Sequence, residues 1–216
     1  MRAFVQANTV VAAPPLLPEL RLHLATDMTP LWQATERHLA EVGVEPPFWA
    51  FAWAGGQALA RFLLDAPAWV RGRRVLDFAS GSGLVAIAAA RSGAAGVIAV
   101  DLDPLAAEAI ALNAALNGVA VDVRCVDPCG ALPEPAWVVE AEVVLAGDVC
   151  YDRAMAPRIL AWLRRRAQAG ALVLLGDPGR AYLPSEGLEA LAQHRVPTPE
   201  GVEAHQETSV VVYQLR

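Results

Sequence analysis

Asp148 and Tyr151 stand three residues apart directly behind the apolar run Val143-Val144-Leu145-Ala146, within Gly147-Asp148-Val149-Cys150-Tyr151-Asp152. A carboxylate and a phenol at a strand end can capture and orient a polar group brought to them. Two upstream clusters have the same form: Val75-Leu76-Asp77-Phe78 runs into Ala79-Ser80-Gly81-Ser82-Gly83, and Val100 runs into Asp101-Leu102-Asp103-Pro104. Glycines in such a loop let the backbone approach a ligand with no Cβ in the way, and the helix behind it offers N–H groups to polar oxygens. Asp101 can accept both hydroxyls of a ribose and would repel a 2′-phosphate. The pattern describes a nucleotide-type cofactor site with a polar pair beside it.

Two more acidic positions fall at strand ends. Asp127 can accept from an adenine amino group, or simply sit in a solvated Asp-Pro turn. Gly176-Asp177-Pro178-Gly179-Arg180 forces a turn, and Arg180 can meet a substrate carboxylate. Plainer uses stand beside these readings. Glycines serve any tight turn, Asp101 can cap a helix (Asp103, directly before Pro104, suits that role better), and Asp148 and Tyr151 can be a cap and a packed ring. Gly81-x-Gly83-x-x-Ala86 also satisfies the loose dinucleotide pattern, which leaves an NAD-dependent oxidoreductase as a rival reading.

The elements that must position these residues alternate. Strands are expected near 73–78, 97–101, 120–126, 143–147 and 171–176, with helices near 56–64, 83–92, 104–117 and 153–168. That rhythm implies an α/β fold, doubly wound, with a mostly parallel sheet and helices on both faces. The tail predicts a helix near 185–193 and then a strand, Glu207 to Leu215, lying antiparallel. Upstream, the prolines at 14, 15 and 18 and the alternating Leu20-Arg21-Leu22-His23-Leu24 suggest an extended arm ending in a short strand. Thr29-Pro30 opens a helix to about 41. Residues 1–55 read as an arm covering the site and 56–216 as the cofactor domain, one structural unit.

Composition narrows the class. The chain has 216 residues, 55% of them hydrophobic, and a formal charge of −6. That length suits one domain, and that charge argues against a general nucleic-acid footprint. No uncharged apolar run reaches the ~18 residues of a membrane span, and the N-terminus lacks signal or transit features. Three cysteines cannot all pair; Cys125 and Cys129 lack a second ligand pair, so no metal site is expected. Reduced thiols place the chain in the cytoplasm.

At this point the residues resemble a family. The glycine loop with Asp101 is similar to the class I adenosylmethionine-dependent methyltransferases, and Asp148-x-x-Tyr151 to the Asp-x-x-Tyr signature of their seven-β-strand protein methyltransferases. Three blocks narrow it: Pro18-Glu19-Leu20-Arg21-Leu22-His23-Leu24, the stretch Pro47-Phe48-Trp49-Ala50-Phe51-Ala52-Trp53-Ala54-Gly55-Gly56-Gln57-Ala58-Leu59-Ala60, and Gly176-Asp177-Pro178-Gly179-Arg180. These resemble the lysine methyltransferases of the electron transfer flavoprotein β subunit.

The resemblance implies a seven-stranded Rossmann-like methyltransferase sheet with one antiparallel late strand, and S-adenosylmethionine as methyl donor. Cofactor contacts would come from Trp53 closing over it, Asp77, the loop Ala79, Ser80, Gly81 and Gly83, then Asp101 with Leu102, Asp127 and Gly147. Asp148 and Tyr151 would act on the target lysine, framed by Asp177 and Arg180. The acceptor would be the flavoprotein β subunit, with a ribosomal protein or a nicotinamide-like small amine as alternatives. One position departs from the pattern: the family has glycine where this chain has Ala79, which costs little if φ there is negative and more otherwise.

Overall fold

The computed structural model describes residues 1–25, 47–131, 133–197 and 207–216; the helix expected over 29–41 lies outside them. The chain opens with α1 (Arg2–Asn8), which the sequence pattern does not announce, and a small antiparallel pair, β1 (Val10–Ala12) and β2 (Leu22–Leu24). Then follow α2 (Ala54–Asp65), β3 (Arg74–Phe78), α3 (Leu84–Arg91), β4 (Gly96–Asp101) and α4 (Pro104–Leu116). The second half comprises β5 (Asp122–Cys125), the short α5 (Ala136–Val139), β6 (Val143–Gly147), α6 (Met155–Gln168), β7 (Leu172–Asp177), β8 (Leu188–Pro197) and β9 (Glu207–Leu215).

Seven strands form the main sheet in the order β5-β4-β3-β6-β7-β9-β8. All neighbours are parallel except β9, which runs antiparallel to both β7 and β8. The central strands β3, β6 and β7 are buried almost throughout, as continuous apolar runs in a sheet covered on both faces should be. On one face Leu59 and Leu63 of α2 and Ile87 of α3 pack with Leu145, Leu174 and Val212. On the other, Trp162 and Leu163 of α6 meet Phe78, Val144 and Leu175. Strand order reverses between β3 and β6, so the crevice beyond their carboxyl ends is the expected ligand position.

One expectation fails. Residues 188–193, expected within a helix, instead begin β8. Leu188-Glu189-Ala190-Leu191-Ala192-Gln193 are good helix formers, but pairing with the β-branched run Val210-Val211-Val212 decides otherwise. The mismatch leaves a register shift between Ala190 and Ala192.

The N-terminal arm is fastened to α4. Val5 packs with Ala109 and Leu112, and the His23 amide donates to Asn113 Oδ1 at 2.7 Å. The buried Asn113 also donates through Nδ2 to Ser82 O at 2.8 Å. One side chain thus ties the arm to the glycine loop. Asn117 makes a second clamp, accepting from Arg21 N at 3.1 Å and donating to Arg21 O at 2.6 Å.

Candidate active site

The glycine loop leaves β3 through three residues at positive φ: Ala79 at 51°, Gly81 at 54° and Gly83 at 81°. Gly83 also lies so close to α4 that a Cβ there would come within 3.1 Å of Ile110. Ala79 therefore occupies the costly case, a strain of about 1–2 kcal/mol that glycine would not carry. Asp77 holds the turn from beneath: Ser80 Oγ and the Ala86 amide both donate to its Oδ2. It is only 1% exposed, and burial, helped by repulsion from Asp101, pushes its carboxyl up to about 7. Asp77 thus shapes the loop from beneath.

Asp101 ends β4 half-buried, accepting from the Gly81 amide at 2.8 Å and the Asp103 amide at 3.1 Å. Burial raises its pKa despite these donors. Asp103 is the helix cap, accepting from Leu105 N at 2.7 Å. An ionised carboxylate has about four acceptor sites, so Asp101 keeps capacity for a further donor. Beside it, Leu102 is 64% and Val126 41% exposed, and the register of β4 with β5 sets them at neighbouring strand ends. A strand-end carboxylate, an exposed apolar edge and glycine backbone are groups that fit an adenosine-bearing cofactor.

Asp127 has partners of its own. Its Oδ1 accepts from Cys129 N at 2.8 Å and its Oδ2 pairs with Arg158. Burial pushes its pKa up, but Arg158 and the Cys129 amide outweigh that and leave it lowered. An adenine amino group would share this carboxylate with an existing ion pair.

At the end of β6, Asp148 also adopts a positive φ, 55°, a region Asp tolerates better than most residues. Its Oδ2 accepts from the amides of Gly55 and Gly56, the latter at 3.2 Å. Its Oδ1 accepts from Arg180 Nε at 3.0 Å and Nη2 at 2.8 Å. Burial pushes the carboxyl up to about 6; Arg180 opposes the rise and Asp177 adds to it. The start of α2 has no side-chain cap from its own N-cap residue, Trp53. Asp148 supplies that function from far along the chain, where negative charge also favours a helix N-terminus.

This approach depends on glycines. A Cβ on Gly55 would overlap Gly176 O and Asp148 Oδ2, one on Gly176 would overlap Gly55 O, and one on Gly147 would lie 2.9 Å from Gly56 Cα. The first turn of α2 is thus seated directly on the ends of β6 and β7. Asp177 shapes the following turn, its Oδ1 accepting from Gly179 N and Arg180 N, both at 2.7 Å. Arg180, read from sequence as a contact for a substrate carboxylate, is instead drawn onto Asp148.

Tyr151 is 44% exposed, with its ring centroid 5.7 Å from that of Phe48. Phe48 in turn meets Trp53 at 5.8 Å, Trp53 meets Phe51 at 5.7 Å, and Trp53 Nε1 donates to Phe48 O at 2.8 Å. This aromatic wall leads through Trp53, the N-cap residue of α2, into the Gly55 and Gly56 amides that meet Asp148. Sequence reasoning names most of the rim but misses Gly55, Gly56 and Asn113; the doubled glycine at the start of a helix is the signal that could have found the first two. A cavity of about 700 Å³ lies at the opposite ends of the strands, among Val97, Ala114, Val121 and Trp137, and touches none of these residues.

Among the described residues no three His, Cys, Asp or Glu are grouped to hold a metal, and no helix is long and apolar enough to cross a membrane. Residues 61–150 match the family model for ribosomal protein L11 methyltransferase (PrmA). The chain is 42% identical over 199 residues to the electron transfer flavoprotein beta subunit lysine methyltransferase of Xenopus laevis, covering 89% of this chain and 78% of that protein. The mouse protein of the same name is 36% identical over 225 aligned positions, covering 100% and 84%. Among solved structures, a ribosomal protein L11 methylase from Lactobacillus delbrueckii subsp. bulgaricus superimposes with a TM-score of 0.50 at 18% identity, covering 77% of this chain and 81% of that one.

Proposed function

The chain belongs to the electron transfer flavoprotein β-subunit lysine methyltransferase family, and from that premise we propose that it methylates lysine side chains of that flavoprotein subunit, using S-adenosylmethionine. The observation that carries the site assignment is the meeting of Asp148, Arg180 and the Tyr151–Phe48 wall at the rim that also holds Asp101 and the glycine loop. Membership of a methyltransferase family displaces the NAD-dependent reading. The ribosomal-protein alternative draws on a family-model match over residues 61–150 and on relatives aligned over less than half of this chain.

The cofactor supplies an electrophilic methyl group beside a positive sulfonium. This chain's residues must hold it and align the acceptor nitrogen behind that carbon, since in-line geometry is the main source of rate in such a displacement. We assign Asp101 to the ribose hydroxyls, Leu102 to the face of the adenine and the Ala79–Gly83 backbone to the remaining polar groups, with Trp53 closing over them. Asp127 and Gly147 complete the cofactor's surroundings, and Asp77 supports them from below the loop.

The acceptor poses the harder problem. A lysine of pKa about 10.4 is neutral in only one molecule in ~2,500 at pH 7, a penalty of roughly 4.6 kcal/mol. Burial against the aromatic wall and the nearby positive charge both lower that pKa. Asp148 orients the amine at the strand end, Tyr151 walls the channel, and Asp177 sets the turn. The three free cysteines suit a reducing compartment, and we place the protein in the cytoplasm.

The unmethylated flavoprotein β subunit from the same organism, incubated with this protein and the cofactor, is expected to gain whole methyl increments by intact-mass spectrometry. No gain, with cofactor binding verified separately, would remove the flavoprotein and bring ribosomal proteins forward. Asp101→Ala is expected to weaken cofactor affinity at least about tenfold in calorimetry, through loss of charge-assisted hydrogen bonds. Unchanged affinity would count against the ribose assignment.

A further inference from the structure

Asp148 arrives at the acceptor site with its hydrogen-bonding capacity filled. Gly55 and Gly56 donate to one oxygen, and two nitrogens of Arg180 donate to the other. An ionised carboxylate takes about four donors, so no site remains for a substrate ammonium unless one is given up. The pair is sheltered: the Asp148 side chain is 8% exposed and that of Arg180 23%. We propose that Arg180 is a positioning residue that neutralises Asp148, so that the acceptor lysine meets a balanced ion pair rather than a bare carboxylate and sheds its proton more easily. The inference deepens the lysine-methyltransferase reading and rests on it.

The chemistry sets the requirement. The amine lone pair forms the new N–C bond as the C–S bond breaks, and the amine proton must reach solvent beforehand. A bare carboxylate beside the amine would stabilise the ammonium and work against that step. Among the described residues the groups facing Asp148 are few. The first turn of α2 contributes only backbone N–H groups. Cys150, on the same strand exit, has its thiol pushed up to about 12 by burial and the neighbouring acids, and stays neutral. Asp177, from β7, is also raised by burial. Among the described residues Arg180 is therefore the cation that answers Asp148, and Asp177 holds it there through the Arg180 amide.

A planar guanidinium suits this role because two of its N–H groups can grip one carboxylate oxygen without leaving a third party between them. Sequence places Arg180 in a turn and gives it an anion to meet. The structure shows that the anion is the enzyme's own.

The test is the pH dependence of kcat with the flavoprotein β subunit at saturating cofactor, for wild type, Arg180→Gln and Arg180→Lys. The acid limb of kcat reports ionisations in the bound complex. It is expected to move up by about one pH unit or more in Arg180→Gln and to return near its wild-type position in Arg180→Lys, whose charge is kept even if turnover stays low. A uniform fall in Arg180→Gln with the limb unmoved would overturn the inference while leaving the methyltransferase reading intact. A wild type that methylates no lysine would overturn both. A second readout needs no turnover: the Asp148 carboxyl, followed by carbon-13 NMR in the cofactor-free protein, should titrate at higher pH in Arg180→Gln. An unchanged midpoint would also overturn the inference.

Discussion

Asp148→Asn is expected to bind the cofactor within about threefold of wild type and to lose at least about 100-fold in turnover, the scale that loss of alignment at a reacting centre produces. Asparagine is the informative replacement. It tolerates the positive φ at this position, and its side-chain oxygen can still accept from Gly55 and Gly56. What it removes is the charge that holds Arg180. Alanine would also leave the first turn of α2 without the carboxylate that caps it, a loss of about 1 kcal/mol or more. A fall in activity would then be mixed with partial unfolding. Calorimetry for the cofactor and single-turnover kinetics for transfer separate the two effects, and near-normal turnover in Asp148→Asn would take Asp148 off the list of residues that act on the acceptor.

The second large effect concerns a residue with no functional group. Gly176→Ala would set a methyl group into the carbonyl oxygen of Gly55, with Gly55 C at 2.9 Å and Leu59 Cβ at 3.0 Å. The obstacle is backbone, so α2 must lift. Overpacking of a well-filled interior costs about 1–3 kcal/mol and occasionally more, and this site belongs at the upper end. For a chain of this size each kcal/mol lowers Tm by roughly 2–4 °C, so a fall of about 6–12 °C is expected. Lifting α2 also withdraws its N–H groups from Asp148, so turnover at a temperature where the variant is folded should drop as well. Gly96→Ala is the control, because nothing lies within 4 Å of a Cβ there, and its Tm should be nearly unchanged. Equal melting of the two variants would mean that α2 is not seated on the strand ends.

The rim of the sheet is legible in the sequence because parallel strands announce themselves. Each apolar run stops at a glycine or an aspartate, and that pattern alone puts Asp77, Asp101, Asp148 and Asp177 at strand ends. Their partners are not legible, because they come from elsewhere in the chain. Nothing near Asp148 in sequence points to Gly55 or Gly56, and nothing near Ser82 points to Asn113. Arg180 falls in the correct turn, yet sequence assigns it to an external anion, since sequence shows a charge but not what balances it. The helix expected over 185–193 fails for a related reason: local preference favours helix, and the deciding contact comes from β9. The cost at Ala79 is conditional on φ, a quantity only coordinates supply.

The position of β9 has a consequence for the order of events during synthesis. The strand comprises residues 207–215 yet lies inside the sheet, between β7 and β8. While the ribosome has yet to deliver those residues, β7 is the sheet's outer strand and β8 has no partner to zip against. The nascent chain can assemble β3 to β7, with the glycine loop and Asp148 already in place, but its margin stays unfinished. Non-local strand pairing of this kind is slow to form, and an unpaired margin is a template for other chains. The interval before β9 slots home is therefore when this protein is most exposed to misassociation.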